Sequence, residues 1–235
     1  FVKELVTALD LDTVVMGGNS MGGGVTLQYA VTHGEDLLGI IPVSSSGMPR
    51  NVENASPPLA FRLAATPVVN QLMLVITPRS IVENGLKHSI EDDGLVTEAM
   101  IDRYFDMTLH DGNRGATRAR FQGYANRGVA DAALAEQIPS IELPALIIWG
   151  ENDPLIPVES AHKMKEALPQ AKLVIYENVG HIAMEEVPAE SAAEVRAFMA
   201  QVTAVPQAAV PPMVLCGEVA AIAEGAVIPE PFSCG

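Results

Sequence analysis

Residues Gly18-Asn19-Ser20-Met21-Gly22 set a serine between glycines two positions to either side. A serine hydroxyl is a poor nucleophile at neutral pH. It attacks carbonyls only when a base takes its proton and nearby donors hold the negative charge that develops on the attacked oxygen. The chain offers a histidine for the first task, His181 in VGHIAMEEVP, and an acid to support it, Asp153 in LIIWGENDPLIP. A carboxylate behind the imidazole fixes its tautomer and stabilises the imidazolium, so the three residue types together allow acyl transfer through a covalent intermediate. Each also has a plainer reading. Ser20 suits a turn between permissive glycines, Asp153 an Asp-Pro turn with Glu151 or Asn152 as the acid instead, and His181 a loop residue bonded to backbone.

Chemistry of this kind needs side chains from distant positions brought to one place. Four short apolar runs, residues 13–16, 37–43, 145–149 and 172–176, predict strands, and their lack of alternation fits strands buried on both faces. Apolar spacing in residues 1–9, 22–32, 160–168 and 189–202 predicts helices. Strands alternating with helices predict an α/β fold with a parallel sheet. In open sheets of this type, binding and catalytic groups collect at the carboxyl ends of the strands. Ser20 follows the first predicted strand, Asp153 the third and His181 the fourth. A sharp strand-to-helix turn at Ser20 would exclude a Cβ two residues before and after it, hence Gly18 and Gly22. It would also aim the Met21 N–H, at the positive end of the next helix, toward a developing oxyanion.

In this order, and within GNSMGG, WGENDPLIP and NVGHIAMEEVP, the residues Ser20, Asp153 and His181 resemble the catalytic triad of the α/β-hydrolase family. The resemblance extends over residues 1–202. It implies a nucleophile elbow at Gly18 to Gly22 with Ser20 as nucleophile, His181 as base, Asp153 as orienting acid and the Met21 N–H in the oxyanion hole. The activity it implies is hydrolysis of carboxylic esters of apolar acyl groups, with no metal and no organic cofactor. Two alternatives share the pattern: hydrolysis of a C–C bond in a meta-cleavage product, and a non-catalytic binding module of the same fold. In the family the nucleophile follows a strand in the middle of a larger sheet. The resemblance therefore implies strands ahead of residue 1, including a His-Gly loop that supplies a second oxyanion N–H. Such a donor is typically worth about 2.7–4 kcal/mol of transition-state stabilisation. Without those strands the first strand here presents an apolar edge.

The predicted division is a core of residues 1–46, a helical lid of residues 47–140 inserted into it, a second core segment of residues 141–202, and a Pro/Ala-rich tail of residues 203–235 whose composition suits either disorder or a partner-binding extension. The lid is marked by Pro57, Pro58, Pro67 and Pro78 and by helix-like spacing with no clear strand. Its apolar residues 59–76 suit either a wall over the serine or packing on the core. Arg114, Arg118, Arg120 and Arg127 suit either an anionic substrate group or pairing with Asp106, Asp111 and Asp131 on exposed helix faces.

Composition narrows the function classes. The 235 residues are 49% hydrophobic with mean hydropathy +0.23, enough for a sizeable core. A formal charge of −15 disfavours nucleic acid and anionic lipid as partners. No apolar run reaches the ~18 residues of a membrane span. The two cysteines, Cys216 and Cys234, lie in the tail, which excludes a disulfide scaffold and favours a reducing, cytoplasmic compartment. The five histidines lack metal-ligand spacing. A small-molecule ester is the expected partner, and oligomeric state is left open.

Overall fold

The apolar runs form one parallel sheet whose two faces are covered by different helices. The computed structural model describes residues 1–49, 71, 75–122 and 127–204. In chain order these contain α1 (Val2–Ala8), β1 (Val14–Asn19), α2 (Met21–His33) and β2 (Leu37–Val43). Next come α3 (Arg79–Ser89), α4 (Glu98–Leu109), α5 (Asn113–Gln122) and α6 (Arg127–Ala135). The series closes with β3 (Leu146–Gly150), α7 (Glu159–Ala167), β4 (Lys172–Tyr176), α8 (Ala183–Glu186) and α9 (Pro188–Val202). The strands lie in the order β1-β2-β3-β4, all parallel. Val14 to Asn19 pair with Leu37 to Val43, and Leu146 to Gly150 pair with Lys172 to Tyr176.

Successive strand residues point to opposite faces. Ile40, Ile147 and Trp149 therefore join one core with Leu27 of α2 and Met164 of α7. Ile41, Leu146 and Ile148 join a second core with Phe198 of α9. Because both faces are covered, the central strands tolerate no polar alternation, and every residue of β3 is buried. Helix α9 approaches β2 so closely that a Cβ on Gly39 would lie 2.8 Å from Phe198 Cζ. Pro188 opens α9, where its missing N–H costs no helical hydrogen bond.

Two sequence expectations are corrected here. The first strand runs over Val14–Asn19 rather than residues 13–16, and neither it nor β4 is fully buried. Val14 and Met16 pack on one core and Val15 on the other, yet all three are only half-buried and Gly17 is exposed. In β4, Lys172 is exposed and the rest half-buried. Strand β1 pairs with β2 on one side and has no neighbouring strand on the other among the described residues. Helix α1 likewise buries Val6 while Phe1, Leu5 and Leu9 stay exposed, so its apolar residues do not form one covered face.

Helices α3 to α6 lie between β2 and β3, and among the described residues this interval contains no strand. Leu86, Ile90 and Ile101 from α3, the turn after it and α4 make a third apolar cluster with Ile182. Thr97 caps α4 by accepting from the Met100 N–H at 3.2 Å. Asp131 of α6 is buried and accepts from the Gly47 N–H at 3.1 Å, rather than sitting on an exposed face. In this region Arg79 pairs with Glu98 and Asp102, and Arg103 pairs with Glu185. Pro57, Pro58, Pro67, nearly all of residues 59–76, the side chain of Arg127 and residues 205–235 lie outside the described residues. Residues Phe1–Thr203 form one compact unit. No helix among the described residues is long and apolar enough to cross a membrane.

Candidate active site

Ser20 stands between the last residue of β1 and the first of α2, with φ +55° and ψ −113°. A non-glycine residue in this region carries backbone strain of about 1–3 kcal/mol, held only when the surroundings over-determine it. Here they do. The Ser20 N–H donates to the Val43 carbonyl at 2.9 Å, and the Ser20 carbonyl accepts from the Ser46 N–H at 2.9 Å and the Gly24 N–H at 3.3 Å. The Ser46 hydroxyl adds a contact to the same carbonyl at 3.3 Å.

The glycines of the turn serve differently from the sequence expectation. A Cβ on Gly18 would collide with the backbone of Gly22, so Gly18 is required by the close approach of strand end and helix start. A Cβ on Gly22 would meet nothing within 4 Å. The other tight positions are Gly23, whose added Cβ would strike the Ser45 side chain, and Gly24, whose added Cβ would strike the Ser46 hydroxyl. Gly22 matters as the backbone against which Gly18 packs.

Asp153 and His181 are brought together by the end of β3. A Cβ on Gly150 would overlap the carbonyl oxygens of Val179 and Gly180, so only glycine lets the two segments touch. The Glu151 N–H then donates to Tyr176 at 2.9 Å and the Asn152 N–H to Val179 at 3.0 Å, which laces the two loops together. Asp153 Oδ2 lies 2.7 Å from His181 Nδ1, and both side chains are buried. Asp153 Oδ1 accepts from the N–H groups of Leu155 at 2.8 Å and Ile156 at 2.9 Å. With a carboxylate accepting at Nδ1, the neutral imidazole carries its proton there and leaves Nε2 as the free acceptor. Asn152 instead bonds Glu91, and Glu151 is exposed, so Asp153 is the acid that meets the histidine.

The histidine loop joins the serine turn through Asn19. Its side-chain amide donates to the His181 carbonyl at 3.1 Å and to the Val43 carbonyl at 3.3 Å. Ser20 is half-buried, and its hydroxyl makes no hydrogen bond among the described residues. Met21, 40% exposed, supplies one of the first-turn N–H groups that a helix leaves without an intrahelical acceptor. Sequence reasoning missed Asn19, Ser46 and the Ser89 carbonyl, which accepts from the His181 N–H at 2.7 Å. Only Asn19 carried a signal, as a polar residue inside the G-x-S-x-G run.

The structure brings Asp153 and His181 into contact and ties the His181 backbone to Asn19, next to Ser20; no hydrogen bond joins the Ser20 hydroxyl to the imidazole among the described residues. A family model described as alpha/beta hydrolase fold matches residues 1–188. Lipase 1 of Psychrobacter immobilis is 24% identical over 206 residues, covering 84% of this chain and 59% of the lipase. The 2-hydroxy-6-oxo-6-(2'-aminophenyl)hexa-2,4-dienoic acid hydrolase of Metapseudomonas resinovorans is 24% identical over 204 residues, covering 85% of this chain and 64% of that protein. The chain thus spans less than two thirds of these curated relatives. Among solved structures, a meta-cleavage product hydrolase from Pseudomonas fluorescens IP01 superposes with a TM-score of 0.63 at 19% identity, over 84% of this chain and 67% of that one. Sheet order, strand-end site and family match agree, and the chain belongs to the alpha/beta hydrolase fold family.

Proposed function

We propose that this chain carries the nucleophile, base and acid of a serine hydrolase that cleaves carboxylic esters of apolar acyl groups. The observation that carries the reading is the buried 2.7 Å contact between Asp153 Oδ2 and His181 Nδ1, on a loop that Asn19 fastens beside Ser20. In this mechanism His181 Nε2 takes the Ser20 proton as Oγ attacks the ester carbonyl. The Met21 N–H holds the oxyanion of the tetrahedral intermediate, with the positive end of α2 behind it. Collapse expels the alcohol, which leaves with the proton from His181, and Ser20 stays acylated. A water then attacks, giving its proton to His181, and the acid departs as Ser20 recovers its hydrogen. The helices between β2 and β3 form the cap over this site, and its partner is a small ester. Ser20→Ala tests the reading: p-nitrophenyl butyrate turnover is expected to vanish while the circular dichroism spectrum is unchanged. Retained turnover overturns the mechanism, and an unmutated, folded chain with no turnover favours a non-catalytic binding role.

A second reading, C–C bond hydrolysis of a meta-cleavage product, is supported by the likeness to the dienoic acid hydrolase and to the Pseudomonas structure. The ratio of kcat/KM on p-nitrophenyl butyrate and on a 2-hydroxy-6-oxo-hexadienoate separates the two.

A further inference from the structure

The loop that carries His181 is held from the cap side as well as from the sheet. The His181 N–H donates to the Ser89 carbonyl at 2.7 Å, at the end of α3. One residue earlier, Gly180 faces the same turn so closely that a Cβ would lie 2.6 Å from the Ser89 oxygen and 3.0 Å from the Glu91 nitrogen. The Glu186 carboxylate closes this junction. It accepts from the Gly180 N–H at 2.9 and 3.1 Å and, through Oε2, from the Glu91 N–H at 2.8 Å. Ile182, next after the histidine, is buried in the cluster with Leu86, Ile90 and Ile101.

We propose that Glu186 is a positioning residue, whose carboxylate ties the turn after α3 to the histidine loop so that the inserted helices act as a fixed mount for the imidazole. The proposal rests on the reading of His181 as the base. A carboxylate suits this junction because its two oxygens accept from two backbone donors that otherwise face each other without an acceptor. Helices α3 and α4 therefore do not swing away from His181 as a hinged lid would. Movement of this pair carries the base with it.

The test compares kcat and KM for p-nitrophenyl butyrate in the unmutated chain, Glu186→Gln and Glu186→Ala, with thermal unfolding of each. Glu186→Gln keeps one acceptor oxygen and turns an amide N–H toward the other donor; Glu186→Ala loses both ties. The expected result is a fall in kcat of about ten- to a hundredfold for Glu186→Ala, the range for small misplacement of a catalytic group. A smaller fall is expected for Glu186→Gln, with KM within about twofold in both. A folded Glu186→Ala that keeps kcat within about twofold overturns the proposal, whatever its melting temperature. Amide hydrogen exchange decides it independently of turnover and of how Glu186→Ala folds. The Gly180 and Glu91 amides should both be protected in the unmutated chain, and in Glu186→Gln, which keeps one acceptor oxygen, protection of at least one of them should fall. Free exchange of both in the unmutated chain, or unchanged protection of both in Glu186→Gln, overturns it. A folded, unmutated chain with no turnover would count against the hydrolase reading itself, and the exchange result would still separate the two.

Discussion

Replacing Asp153 by asparagine and by alanine separates its two tasks. One oxygen of Asp153 holds the loop by accepting from the Leu155 and Ile156 N–H groups at 2.8 and 2.9 Å, and the other meets His181 Nδ1 at 2.7 Å. Asparagine keeps an oxygen for the first pair and presents an NH2 to the imidazole. The histidine must then protonate at Nε2 to accept at Nδ1, and Nε2 no longer takes the Ser20 proton. The loss expected from a wrong tautomer is about 10⁴ in kcat, or about 5 kcal/mol of transition-state stabilisation. Folding should change little. Alanine orphans both backbone donors, each costing about 1–3 kcal/mol, so the expected loss of stability is about 2–6 kcal/mol in addition to the lost turnover. Urea unfolding and p-nitrophenyl butyrate hydrolysis on the same samples give the two numbers. An Asp153→Asn variant within about tenfold of the unmutated kcat would refute the claim that this carboxylate sets the imidazole tautomer.

Other substitutions probe the elbow and the core. Gly18→Ala should cost both turnover and melting temperature, because its Cβ collides with the Gly22 backbone, whereas Gly22→Ala, with nothing within 4 Å, should melt at or above the unmutated temperature. The gain available from replacing a helical glycine is at most about 1 kcal/mol. Phe198→Ala should destabilise by about 3–5 kcal/mol in urea unfolding, since Phe198 is 6% exposed and fills the second core. Near the start of the chain, Lys3 at 2.7 Å and the Tyr29 hydroxyl at 2.6 Å both bond Asp36, and these bonds, that of Lys3 first, hold its carboxyl below the ordinary value. That stability is complete above the unfolded carboxyl's pKa and is lost as pH falls through the lower folded one. Burial, then the Asp36 bond, pushes the Tyr29 phenol up to about 12. Its contribution is complete below the unfolded value of about 10 and is lost as pH rises to the folded one. Thermal melts of Asp36→Asn should therefore lie below those of the unmutated chain at neutral pH and converge with them in strong acid; parallel curves would refute the linkage.

The extents of the second and fourth strands are the most legible part of the fold, because unalternated apolar runs flanked by turn residues read as strands, although β4 is only half-buried. The run at residues 37–43 and that at residues 172–176 are β2 and β4 with the bounds read from sequence. Residues 13–16 were read too short because β1 continues through Gly17 and Gly18, which have low intrinsic strand preference and are placed by pairing with Ile41 and Pro42. The partial exposure of β1 matches the apolar edge expected where no strand lies beside it: among the described residues it pairs with β2 alone. Asp153 was legible from its place after β3. Gly22 was misjudged because the motif names the positions that come close without saying which one carries the hydrogen facing the other backbone. The contacts made by Asn19 and Glu186 were not legible, since they cross 162 and 95 residues of sequence. Such pairings follow from packing and leave no local pattern.

Organophosphonate trapping tests the central claim most directly. The unmutated chain would be treated with a fluorophosphonate, digested and mapped by mass spectrometry. The account predicts one adduct, on Ser20, formed slowly or not at all in His181→Ala. A folded chain that forms no adduct, or one modified at Ser44, Ser45 or Ser46 with Ser20 untouched, would contradict it.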